Sequence, residues 1–139
     1  MPTLTRWHIR MSLLCFMLAL LLGMLVAAQA PLKITAPLYV FTPVFFHLFM
    51  VGWVAQLIFG IVFWMFPLYS KEKPRGDERL GWLVFWLLNL GLLLRVLGEP
   101  AQAIAPQPIW GWALALSAVF QWLAGLFFVI NTWGRVKER

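Results

Sequence analysis

Two side chains in this sequence combine reactive chemistry with a place inside an apolar stretch: His47 and Arg95. An imidazole nitrogen coordinates metals, iron included, and a guanidinium is a bidentate partner for carboxylates. His47 lies four residues past Pro43, about 6 Å along a helix that rises about 1.5 Å per residue. A helix starting at Pro37 instead would put it about 15 Å from its end. Arg95 lies three residues before Gly98, about 5 Å from the end of its own run. Successive membrane spans alternate in direction, so both groups fall in the same, outer half. A haem standing upright there would take an iron ligand from His47 and turn its propionates toward Arg95. One ligand would then satisfy two groups that are costly to place in a membrane.

Blander roles exist for each of these residues. A lone His near a helix end can serve as an interfacial hydrogen-bonder, and Arg95 can snorkel to headgroups or pair with Glu99 at i+4. Gln56, Gln121, Ser117 and Asn131 read most simply as interhelical hydrogen bonds. Met50, three residues after His47, could join it in a Cu(I) site, though two ligands are few for one. His8 precedes the first apolar run on the opposite side from His47 and is expected at the headgroups. A sixth iron ligand would have to come from a Met, from water or a gas, or from a second chain.

Several chemistries are excluded. No Asp or Glu falls within an apolar run, which argues against carboxylate proton pumps and acid/base hydrolases. There is no Ser-His-Asp set, Gly-rich phosphate loop or HExxH motif. The single cysteine, Cys15, rules out an intrachain disulfide or a cysteine-built metal cluster.

The elements that must position these groups are helices in lipid. The 139-residue chain is 63% hydrophobic and only 12% charged, with nine Trp and twelve Phe. A water-soluble domain of this size could not hide that surface. Four apolar runs stand out, at about 11–28, 43–66 (or from Pro37), 80–97 and 108–132. Each is close to the ~20 residues that cross a ~30 Å hydrocarbon core. Backbone groups in lipid must be satisfied locally, and four strands cannot close a barrel, so the fold expected is an all-α, integral membrane four-helix bundle within one domain. Thr42-Pro43 reads as a helix start, Lys71–Arg79 as a loop, and Gly98-Glu99-Pro100 as a stop.

Charge sets the orientation. Nine of the eleven Lys and Arg flank the runs on one side, Lys33 lies on the other and Arg95 within a span. The positive-inside rule makes both termini cytoplasmic. The net charge of +6 then reflects anionic lipid and not nucleic acid. Residues 1–30 also resemble a signal peptide, with a possible Ala28-Gln29-Ala30 site. Pro31 opposes cleavage there, so an uncleaved first helix is expected.

On the second run, Gly52, Gln56 and Gly60 recur every four residues, a stripe suited to close helix packing. At 100° per residue, Val51, Val54, Ile58, Ile61 and Met65 lie on the His47 side and form an apolar wall.

The segment from His47 to Pro67 reads H-x4-G-W-x2-Q-x3-G-x4-M-x-P. It resembles a helix of haem-copper oxidase subunit I-like proteins, of NnrS-type membrane haem proteins and of small four-helix relatives. The stretch from Asn89 to Arg95 adds a little to the likeness. The resemblance implies a haem or metal ligand at His47. It does not imply an oxidase, because a full subunit I has many more helices and several histidines, whereas this chain has two. The expectation is a haem b protein of a bacterial cytoplasmic membrane, active in electron transfer or in binding haem or a diatomic gas. A homodimer would double the one intramembrane histidine, and a respiratory-chain partner would supply electrons. The rival expectations are a non-catalytic accessory or assembly subunit of a respiratory complex and a copper-handling protein.

Overall fold

A computed structural model describes residues 1–67 and 76–136. Among these residues the chain is helical, with no strand, and four helices are long and apolar enough to cross a membrane. Helix α1 spans Thr3–Ala28. The second span, Leu38–Met65, is composite: a 3-10 turn (Leu38–Phe41), α2 (Thr42–His47), a π-helical segment (Leu48–Ala55) and α3 (Gln56–Met65). Helix α4 is Glu78–Ile104 and α5 is Pro108–Trp133. Most of the loop expected over Lys71–Arg79, including Lys71, Lys73 and Arg75, lies outside the described residues, as do Lys137 and Arg139.

The spans occur where expected, but the helices outrun them. The first helix begins at Thr3 and not Met11, and α4 continues through Gly98-Glu99-Pro100 to Ile104. Hydropathy marks the bilayer core, whereas a helix ends where its backbone loses partners. At 27 residues, α4 is about 40 Å long, so its last turns lie beyond a ~30 Å core, where water meets exposed carbonyls. Pro100 removes one backbone donor there without ending the helix. At the other end, Asp77 caps α4 by accepting from Arg79 N at 2.9 Å and Leu80 N at 3.5 Å. Thr42 makes no such cap, because the 3-10 turn already supplies helical backbone ahead of it. The second span therefore starts just after Pro37.

Helices α4 and α5 form the most extensive pairing, and α1 lies along the second span. The small-residue stripe makes that second contact, as expected. A Cβ at Gly52 would sit 2.8 Å from Leu92 and 2.9 Å from Cys15, and one at Gly60 would sit 2.7 Å from His8. Lipid is as apolar as leucine, so close packing and hydrogen bonds hold these helices together. Gln56 donates to Asn89 Oδ1 at 3.2 Å, joining the second span to α4. Ser117 Oγ donates to the Gly91 carbonyl at 2.6 Å, and Gln121 reaches Ser117 at 3.4 Å. Asn131 accepts from Asp77 N at 3.0 Å and donates to Asp77 O, tying the end of α5 to the start of α4.

Most large apolar side chains face outward, as a lipid-solvated bundle requires. Trp112 and Trp133, near opposite ends of α5, are exposed, as aromatic side chains suited to the two membrane–water interfaces would be. The buried clusters lie at different levels of the bundle: Cys15, Ala19, Val44, Leu48 and Leu92 toward the His47 end, Leu4, Phe63 and Phe85 at the His8 end, and a third cluster of Val84, Leu88 and Ala124.

Candidate cofactor site

His47 is the last residue of α2, immediately before the π segment. Wide i→i+5 turns inside α-helices often sit at functional positions. Here the wide turn also redistributes the side chains that follow. The apolar wall expected beside His47 is split: Val51 packs inward against the cluster of Cys15 and Leu92 and against Val84, Leu88 and Ala124, while Ile58, Ile61 and Met65 face outward. A uniform 100° per residue does not hold across a π-helical stretch.

The fold brings His47 and Arg95 together through a third residue. Glu99 Oε1 lies 3.0 Å from His47 Nδ1 and 3.2 Å from Arg95 Nη1. The side chain of Glu99 is 8% exposed, against 28% for His47 and 23% for Arg95. Continuation of α4 past Gly98 puts Glu99 one helical turn beyond Arg95, and the i+4 pairing follows. His47 Nδ1 also lies 2.9 Å from the Pro43 carbonyl, one turn back on its own helix. Two buried polar atoms remain unpartnered in this cluster: Arg95 Nε and Glu99 Oε2. The site is thus a half-buried imidazole, a buried carboxylate and a guanidinium with an unused donor.

The i+4 pairing of Arg95 with Glu99 is as expected, whereas the contact of Glu99 with His47 was missed because Glu99 was placed in a stop signal. Met50, the other candidate metal ligand, is 55% exposed. Among the described residues no group of three or more His, Cys, Asp or Glu could hold a metal ion.

His8 departs from expectation. It is 2% exposed, set edge-on against Phe85 with ring centroids 5.1 Å apart, and its Nδ1 has no partner. It meets helices and not headgroups, because α1 is already helical there and Gly60 leaves room for it. The signal was present: Leu4, His8, Ser12, Cys15 and Ala19 are all buried, and their spacing puts them on one helical face. A cavity of about 10 Å³ lies beside His8, Phe59, Phe63, Val84 and Asn131, about the space one water needs.

Arg135 is a second residue that the sequence did not flag. It is fully buried, donating through Nε to Pro67 O at 3.0 Å and through Nη2 to Phe66 O at 2.7 Å. It satisfies carbonyls left open where α3 ends, and its guanidinium lies about 6 Å from the Phe63 and Phe66 rings. No sequence pattern distinguished it from the neighbouring basic residues.

The family model described as Cytochrome C and Quinol oxidase polypeptide I matches residues 3–139. No match was found among curated proteins or among solved structures.

Proposed function

This chain belongs to the cytochrome c and quinol oxidase polypeptide I family, and within it we propose a b-type haem membrane protein in which His47 would hold the haem iron. It is a multi-pass, haem-copper-oxidase-like membrane protein, and haem is the cofactor of its family. We place the cluster at the outer face of a bacterial cytoplasmic membrane, with both termini inside.

The observation that carries the reading is the environment of His47 Nδ1. Two acceptors, the Pro43 carbonyl and the Glu99 carboxylate, lie within 3.0 Å of it. A ring nitrogen facing two acceptors carries the proton, so a neutral His47 has its lone pair on Nε2. Metal-binding histidines commonly have this arrangement, one nitrogen coordinating and the other donating to a carboxylate or carbonyl. Arg95 holds Glu99 through Nη1 and keeps a buried, unpartnered Nε, a donor suited to a propionate. The residues present therefore fit a haem held by one histidine. They do not fit a haem-copper centre, which needs more histidines than the two in this sequence. Bound haem would supply one-electron or diatomic-gas chemistry, with electrons delivered by a respiratory partner.

The test is an absorption spectrum of the purified protein, with pyridine haemochrome analysis to type the haem. A Soret band with haem b bands supports the reading. Protein that stays colourless after haem reconstitution overturns it. The rival reading, an accessory subunit of a respiratory complex, predicts co-purification with larger subunits and full function in His47→Ala.

A further inference from the structure

We propose that Glu99 is the positioning residue of this site, holding His47 by its Nδ1–H so that Nε2 is the coordinating nitrogen, and that Arg95 sets how much of the Glu99 charge His47 feels. The inference rests on the haem reading above and deepens it. It begins from an asymmetry between the two acceptors around Nδ1. The Pro43 carbonyl, 2.9 Å away, is a neutral group that α2 supplies to whatever side chain occupies position 47. The Glu99 carboxylate, 3.0 Å away, comes from a different helix and carries charge. It fixes the ring between two helices and not only along its own.

The carboxylate is itself held. Arg95 Nη1 reaches Oε1 at 3.2 Å, the same oxygen that meets His47, while Oε2 is buried without a partner. Arg95 and His47 therefore compete for the electron density of one oxygen. A carboxylate accepting from the distal nitrogen makes an imidazole a stronger donor and favours the more oxidised metal. A guanidinium on the same oxygen opposes that effect. The pair forms an adjustable electrostatic control on the ligand, built from two residues one helical turn apart near the C-terminal end of α4.

The two substitutions should consequently act in opposite directions. Glu99→Gln keeps an acceptor of the same shape but removes the charge, and should favour ferrous haem about tenfold, raising the midpoint potential by about 59 mV. Arg95→Gln frees the carboxylate and removes a nearby cation, so the potential should fall. A site that had merely loosened would not give opposite signs. Equal potentials in wild type and Glu99→Gln, or shifts of the same sign in both variants, would overturn the proposal.

A second readout needs no haem. Nitrogen-15 spectra of histidine-labelled protein should show His47 protonated at Nδ1, with that resonance displaced in Glu99→Gln. An unprotonated Nδ1, or one unchanged by the substitution, would overturn the positioning role. Colourless protein would sink the haem reading alone, and the nitrogen spectra would then decide the role of Glu99 by themselves.

Discussion

The two ends of the bundle each hold a histidine, and they treat it in opposite ways. At one end His47 is partly exposed and meets a carbonyl, a carboxylate and, through that carboxylate, a guanidinium. At the other end His8 is almost completely buried, packed on Phe85 and Gly60, with Nδ1 unpartnered. Burial alone does not make a histidine functional. A polar partner from another helix, with one nitrogen left over, is what turns His47 into a candidate ligand; His8 has the shape of a packing residue beside a water-sized cavity.

Stability measurements toward the His8 end can break this contrast, and the largest effect should come from Arg135. Arg135→Ala removes two charge-assisted hydrogen bonds to the carbonyls of Phe66 and Pro67, and should cost about 3 kcal/mol in detergent unfolding experiments. Gly60→Ala comes next. Its new methyl would lie 2.7 Å from His8 Cβ, so α1 and α3 must separate, at a cost of about 2 kcal/mol. Gln56→Ala removes the bond to Asn89 and should cost only about 0.6 kcal/mol, since such bonds in membranes are weak. His8→Leu should fall within about 1 kcal/mol of wild type, because it replaces an unpaired buried polar atom with an apolar group. A large loss in His8→Leu would mean that His8 holds a polar partner after all, such as an ordered water. None of the four should alter the His47 site.

Much of the fold was legible because lipid imposes a simple rule on length and hydropathy. The runs at 11–28 and 80–97 marked real spans. They could not mark the ends of α1 at Thr3 or of α4 at Ile104, since a helix continues past the bilayer wherever its backbone stays paired. The stripe of Gly52, Gln56 and Gly60 was legible because close packing needs small residues at fixed spacing. The π segment was not, because no residue type in Leu48–Ala55 specifies an i→i+5 turn. In the site, His47 and Arg95 were visible as costly polar groups within apolar runs. The pairing of Arg95 with Glu99 was legible from its i+4 spacing, but the contact of Glu99 with His47 was hidden by a stop signal, Gly98-Glu99-Pro100, that α4 passes through. His8 was misplaced because its own basic flank resembled a headgroup-facing end.

The central claim is that His47, and not His8, serves a cofactor, and one comparison tests it directly: absorption spectra of wild type, His8→Leu and His47→Ala after identical haem reconstitution. The expected result is equal Soret absorbance in wild type and His8→Leu, with its loss in His47→Ala. An undiminished Soret band in His47→Ala, or its loss in folded His8→Leu, would contradict the account.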